Sequence, residues 1–297
     1  MNDILQRLRA GEVLVADGAM GTLLMARGLP AGHCPEWFNL EHPEVLEEIA
    51  RRYTEAGADL VQANTFGGSP LKLAPFGLAD RAAVINRAAV EAARRGAVGR
   101  AHVAASVGPT GKLLKPLGDA DPAEVLDGYR LQMRALFEAG ADLVCVETMT
   151  DLDEAVMAVR AAKEAAPGVP VSASMTFDRA RRGWFTMMGV GTEKAVRGLE
   201  AAGADLVGAN CGNGIDAMVE LCRELRALTT LPLVIRPNAG IPAGVGTDLA
   251  WPEDPDYFAE RAPALLAAGA NVLGGCCGTG PDHVRALRAA VDARGHG

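Results

Sequence analysis

One short pattern returns four times along this chain, and it constrains the fold more than any other feature. The copies read EAGADLVQANT from Glu55, EAGADLVCVET from Glu138, AAGADLVGANC from Ala201 and AAGANVLGGCC from Ala267. In each, a helical stretch stops at a glycine in the C′ position, a turn residue follows, and a short apolar run begins. Successive copies start 83, 63 and 66 residues apart. Each interval therefore has room for about two strand–helix units of ~30 residues.

Filling the intervals gives eight apolar runs, at residues 13–17, 59–65, 102–108, 142–148, 170–177, 205–211, 232–238 and 270–277. A helical pattern follows each run. The segment from Asp121 offers that residue as N-cap, Pro122 at N1 and Glu124 at N3, and the last pattern opens with Pro281 at N1. Near-continuous apolar strands alternating with helices predict an α/β fold, a single (β/α)8 TIM barrel with its helices outside. An open doubly wound sheet rarely repeats so regularly. A barrel of this kind takes about 250 residues, so one domain is expected over residues 1–297. The stretches 18–43, 66–79 and 178–191 are long, as active-site loops often are.

With 49% hydrophobic and 22% charged residues, the chain has the composition of a globular enzyme. A net charge of -8 gives no electrostatic footprint for nucleic acid or an anionic membrane, so neither is expected as a partner. No run of about 18 apolar residues occurs, and the start MNDILQRLRAGEVLVADG lacks the marks of a signal peptide. The expected location is the cytoplasm. In that reducing compartment the six cysteines are core hydrophobes or chemistry rather than disulfide staples.

Catalytic groups of such a barrel stand at the C-terminal ends of its strands. The repeat aligns four of those ends, which carry Asn64 with Thr65, Glu147 with Thr148, Asn210 with Cys211, and Cys276 with Cys277. Neighbouring residues on a strand point to opposite faces, but Gly274, Gly275 and Gly278 permit a backbone that turns both Cys276 and Cys277 inward. Three thiolates at one barrel mouth, Cys211, Cys276 and Cys277, predict zinc (Zn2+), with a fourth position open to substrate. Three buried cysteines without metal are the plain alternative. A closed structural site would want a fourth protein ligand, and His33 and His283 fall in a loop and on a helix face. Cys145 and Cys222 read as core packing, and Cys34 as an ordinary loop thiol.

Asp17 ends the first strand in VADGAMGT. Its carboxylate suits an amino acid's ammonium, and the amides of Gly18, Ala19 and Met20 suit the carboxylate. Glu147 adds a second acceptor for the ammonium. The alternative is that Asp17 merely caps a turn. Neither G-x-G-x-x-G nor a P-loop is present, so no dinucleotide-type site is expected.

These residues resemble the homocysteine S-methyltransferase family, and within it most closely the homocysteine-binding module of cobalamin-dependent methionine synthase. The likeness runs through DGAMGT (17–22), WFNLEHPEV (37–45), EAGADLVQANTFGG (55–68), SVGPTGKLLKPLG (106–118), VETMTDLDEA (146–155), MTF (175–177), GANC (208–211), RPNAG (236–240) and GGCCGTGPDHV (274–284), nearly the whole chain. The resemblance implies zinc on Cys211, Cys276 and Cys277, the homocysteine amino group on Asp17 and Glu147, and its carboxylate on the amides after Asp17. It also places Asn238 near the metal when substrate is absent. The implied activity is methyl transfer to homocysteine, forming methionine. The donor is a methyl-corrinoid, on a partner protein in a methylcobalamin or methyl-folate route, or else a small methyl-onium compound such as S-methylmethionine or betaine. The corrinoid pattern D-x-H-x-x-G does not occur in this chain, and no folate module is recognised. A metal-free barrel that binds an amino acid is the reading of a different class.

Overall fold

The computed structural model describes residues 3–30, 32–244 and 250–294. Among these described residues ten strands run in chain order: β1 (Leu14–Val15), β2 (Leu60–Ala63), β3 (His102–Val107), β4 (Leu143–Met149), β5 (Val171–Met175), β6 (Asp178–Ala180), β7 (Gly183–Phe185), β8 (Leu206–Asn210), β9 (Leu233–Arg236) and β10 (Val272–Leu273). Eight pair in parallel in the order β1–β10–β9–β8–β5–β4–β3–β2. A parallel bridge between Ala16 and Leu60 closes the ring from β1 to β2. Each barrel strand is followed by a helix of 11 residues or more before the next begins. This is the (β/α)8 barrel that the repeat predicts.

The repeat acquires a physical meaning here. Its glycines, Gly57, Gly140, Gly203 and Gly269, all have φ between 90° and 99°, the left-handed turn that ends a helix. Two residues on, Asp59, Asp142, Asp205 and Asn271 each accept a hydrogen bond from a backbone N–H of the preceding barrel strand, at Val15, Val103, Val171 and Leu233 respectively. Each copy thus seats one even-numbered barrel strand against its predecessor. That is why the period spans two strand–helix units.

Two apolar layers surround the strands. Leu14, Ala16, Leu60, Ala104, Leu143, Cys145, Leu206, Val234 and Val272 form one cluster with Ile4 and Leu8 of the first helix. Most sit early in their strands, so that helix stoppers the N-terminal end and leaves the C-terminal end free for chemistry. The larger cluster lies between strands and helices, with Tyr53, Tyr129, Met133 and Phe258 fully buried in it.

The structure corrects several boundaries. The run at 270–277 is strand only over Val272–Leu273, and Gly274 to Gly278 leave the sheet. The stretch 178–191 holds the β6–β7 hairpin, and 18–43 contains helices at Gly21–Met25 and Phe38–Glu41. Pro122 and Pro281 open their helices as expected, and Asp121 accepts from the Ala123 amide. Among the described residues no helix is long and apolar enough to cross a membrane.

Candidate active site

A cavity of about 440 Å³ opens at the C-terminal ends of the strands. Cys211, from the end of β8, and Cys276 and Cys277, from the turn after β10, bring their sulfurs within 4.8 Å of one another. The Cys211 and Cys277 sulfurs are 4.0 Å apart. A tetrahedral zinc with Zn–S bonds of about 2.3 Å requires sulfurs about 3.8 Å apart, so the three fit that ion with little adjustment. Cys211 is held far below the ordinary thiol pKa, because Cys276 and Cys277 donate to it. Donation to that shared charge pushes Cys276 well up and Cys277 up to about 11. A cation held at this point would draw the protons off the thiols.

The backbone that aims these thiols is unusual. Thr148 and Cys211, each just past the first member of its aligned strand-end pair, take φ of 59° and 62°. A non-glycine residue there carries about 1–3 kcal/mol of strain, held by surrounding bonds. For Cys211 the bond is N–H to the Arg236 carbonyl, 3.1 Å. For Thr148 it is the Asn210 side chain, which bonds both its N–H and its hydroxyl. Cys276 donates its N–H to Pro237 O at 2.7 Å, and Cys277 donates its own to Asn238 Oδ1 at 3.1 Å. The Asn238 side chain also touches Cys211, so it braces two of the thiols and its oxygen already has a donor.

The glycines of GGCCG act differently from expectation. Only Gly278 has a left-handed φ, 80°. Gly274 and Gly275 are needed for closeness: a Cβ on Gly275 would stand 2.1 Å from Thr279 Oγ1, and one on Gly274 2.9 Å from the Ala16 Cβ.

Next to the thiols lies a buried ionic group centred on Arg236, which the sequence reading did not single out. Its Nη2 meets Asp17 Oδ1 at 2.8 Å and its Nη1 meets Glu147 Oε2 at 3.4 Å. Burial opposes the Arg236 charge, but Glu147 and Asp17 outweigh it and raise its pKa. Burial, partly offset by Arg236, lifts the Asp17 carboxyl to about 6. Gln62 donates its N–H to Asp17 Oδ2 at 2.6 Å and its side-chain amide to Glu147 Oε1 at 3.0 Å, and the Ser106 hydroxyl donates to the same Glu147 oxygen. Signals for these partners existed: Gln62, Ser106 and Arg236 are polar residues inside otherwise apolar runs.

Glu147 and Arg236 line the cavity, as do Gly18, Ala19 and Met20, while Asp17 stands behind Arg236, 2% exposed. The Ala19 amide is taken by the Thr279 carbonyl at 3.3 Å. Those of Gly18 and Met20 have no protein acceptor among the described residues. Gly18 fits only as glycine, since a Cβ would lie 2.7 Å from Thr279 Oγ1 and 2.9 Å from the Tyr53 hydroxyl.

The remaining candidates are engaged with other partners or lie away from the thiols. Asn64 and Thr65 reach the cavity wall, but Asn64 holds Pro35 and Asn39, and Thr65 holds Ser106. Cys145 and Cys222 are buried and their pKa values are pushed up to about 12 by burial. Cys34 is buried rather than an ordinary loop thiol; it donates to Glu36, and burial lifts it to about 11. His283 is engaged at both ring nitrogens, with the Gly280 amide and the Glu253 carbonyl. A larger cavity of about 650 Å³, beside His33, Cys34 and His42, contains none of the three clustered thiols.

Fold and site together define a parallel αβ-barrel of the thiol-cluster type, with three cysteines at the strand ends beside an ionic wall. The chain belongs to the homocysteine S-methyltransferase family, whose model matches residues 14–291. It is 36% identical to the methionine synthase of Mycobacterium leprae (strain TN) over 97% of its length, and 36% identical to that of Mycobacterium tuberculosis (strain ATCC 25618 / H37Rv) over 94%. The chain spans a quarter of the length of those two proteins. Among solved structures, the metallated form of the homocysteine methyltransferase MmuM from Escherichia coli superposes with a TM-score of 0.81, at 27% identity, covering 97% of this chain and 99% of that one. The apo form of the same protein gives a TM-score of 0.72, over 95% of this chain and 97% of that one.

Proposed function

We propose that this protein methylates the sulfur of homocysteine to form methionine, using zinc held by Cys211, Cys276 and Cys277. The observation that carries the reading is the convergence of three strand-end sulfurs on one point beside a cavity that also presents Glu147 and Arg236. The likeness to the E. coli homocysteine methyltransferase, a structure of which is a metallated form, supports it.

A free thiol is mostly protonated at neutral pH, and zinc bound here would keep the acceptor's sulfur as the nucleophilic thiolate. The chain's own residues supply the geometry. Asn210 and Asn238 fix the cysteines. Glu147 receives the ammonium, and the amides of Gly18 and Met20, on the same cavity wall, add donors for the carboxylate. Met20, Phe66 and Trp251 line the cavity and exclude water from the sulfur. Fixing the acceptor at both ends aims the sulfur at an incoming methyl carbon, and the leaving group departs with the bonding electrons.

The methyl donor is a corrinoid carried by a partner protein. The higher identity to the mycobacterial methionine synthases supports this. A corrinoid is far too large for a cavity of about 440 Å³, so it would lie across the mouth. That same volume favours a second reading, a small methyl-onium donor admitted alongside homocysteine. Methionine formation from methylcobalamin, S-methylmethionine and betaine at equal concentration decides between them. Slow turnover with methylcobalamin and less with the other two is expected. Rapid turnover with S-methylmethionine and none with methylcobalamin reverses the donor assignment. A zinc-free protein that binds homocysteine without consuming it would instead be an amino-acid-binding barrel.

A further inference from the structure

We propose that Arg236 determines acceptor specificity: its guanidinium pairs with the acceptor's carboxylate, and Asp17 is the residue that positions it. This rests on the thiol-acceptor reading above. Arg236 ends β9 and is only 5% exposed, yet it forms part of the cavity wall.

A guanidinium has five N–H donors in a fixed fork. Nε donates to the Gly275 carbonyl at 3.0 Å, and Nη2 to Asp17 Oδ1 at 2.8 Å and to the Asp17 carbonyl at 3.4 Å. Nη1 has a single contact, Glu147 at 3.4 Å. One Nη1 donor is therefore left over among the described residues, on the edge shared with Glu147, which also lines the cavity.

Asp17 is placed to orient this fork. It lies off the cavity wall, and its two oxygens accept from Arg236 and from the Gln62 amide. Glu147 retains accepting capacity on Oε2, whose one contact is the long one to Arg236. The wall thus shows a cation and an anion side by side, the complement of an α-amino acid's carboxylate and ammonium. A guanidinium matches a carboxylate in charge and plane. A purely structural ion group would have no need to face a cavity that also holds the reactive thiols.

The test is equilibrium binding by titration calorimetry to the zinc-loaded protein. The ligands are homocysteine, 4-mercaptobutanoate (which lacks the amino group) and 3-aminopropanethiol (which lacks the carboxylate). For the wild type, removing the carboxylate is expected to weaken binding more than removing the amino group, by ten-fold or more relative to homocysteine. Arg236→Gln alone would strand both Asp17 and Glu147, so it is combined with Asp17→Asn, which replaces the closer ion pair by an amide pair and leaves Glu147 to meet the ligand's ammonium. This double variant is expected to lose ten-fold or more in affinity for the two carboxylate-bearing thiols, with binding of 3-aminopropanethiol, whose ammonium meets the retained Glu147, not weakened. Wild-type protein that binds 3-aminopropanethiol as tightly as homocysteine overturns the proposal, and needs no variant to fold. So does a double variant that weakens all three thiols equally or none of them. Failure of every thiol to bind, with no methionine formed, would instead remove the acceptor reading itself.

Discussion

Asn210 grips Thr148 twice: its Oδ1 accepts the Thr148 N–H at 2.8 Å, and its Nδ2 donates to the Thr148 hydroxyl at 2.7 Å. These contacts tie the end of β4 to the end of β8 beside the thiols, and they hold Thr148 in the left-handed region. Asn210→Ala removes both bonds and leaves the Thr148 N–H without its acceptor. We expect a loss of about 2–4 kcal/mol in unfolding free energy, from two lost hydrogen bonds and an unsatisfied donor. Urea denaturation measures it, and a loss below about 0.5 kcal/mol, within the range of ordinary surface substitutions, would mean the bonds hold nothing in place.

Gly275 sits in the turn that carries Cys276. A Cβ there would meet Thr279 Oγ1 at 2.1 Å, and the Thr279 hydroxyl donates to the Cys276 carbonyl at 2.7 Å. Gly275→Ala must therefore shift the turn that carries Cys276. It should weaken zinc binding ten-fold or more in a competition with a chromogenic chelator. Gly280→Ala, where nothing lies within 4 Å, should leave it unchanged. Equal zinc affinity in the two variants would refute the close-packing account of this turn.

Asp17 gives a pH signature. Burial raises its pKa from 3.8 to about 6, so between those values the folded protein keeps a proton that the unfolded chain has lost. By linkage, its contribution to stability falls as pH rises through that window and is constant above it. Asp17→Asn cannot titrate and lacks this slope. The wild type should therefore lose stability relative to Asp17→Asn when denaturation midpoints are compared at pH 4 and pH 7. A wild-type protein that gains on the variant over that range would show that Arg236 depresses the carboxyl instead.

The barrel was legible because its repeat is local. The C′ glycines and the residues two positions on, such as Gly57 and Asp59, lie beside the turns they make. The thiol trio was legible for a related reason, since counting along aligned copies finds strand ends without any knowledge of distance. Arg236 was not, because its partner Asp17 is 219 positions away and only barrel closure brings them together. The strand limits at 270–277 failed for another reason: an apolar run followed by glycines cannot say where the sheet ends, and Gly275 leaves it to approach Thr279. The burial of Cys34 is not legible locally, because it comes from the packing of Leu73, Ala82 and Ile85 around it, which are distant in sequence.

The central claim is that Cys211, Cys276 and Cys277 hold one catalytic zinc. Its most direct test is the zinc content of purified protein, measured by elemental mass spectrometry for the wild type and for single alanine variants. The wild type should carry about one zinc per chain, following the three-ligand catalytic pattern. Cys211→Ala, Cys276→Ala and Cys277→Ala should each lose most of it, while Cys222→Ala, buried and bonded to the Ala268 carbonyl, should keep it in full. A folded Cys277→Ala protein that retains one zinc per chain would contradict the account.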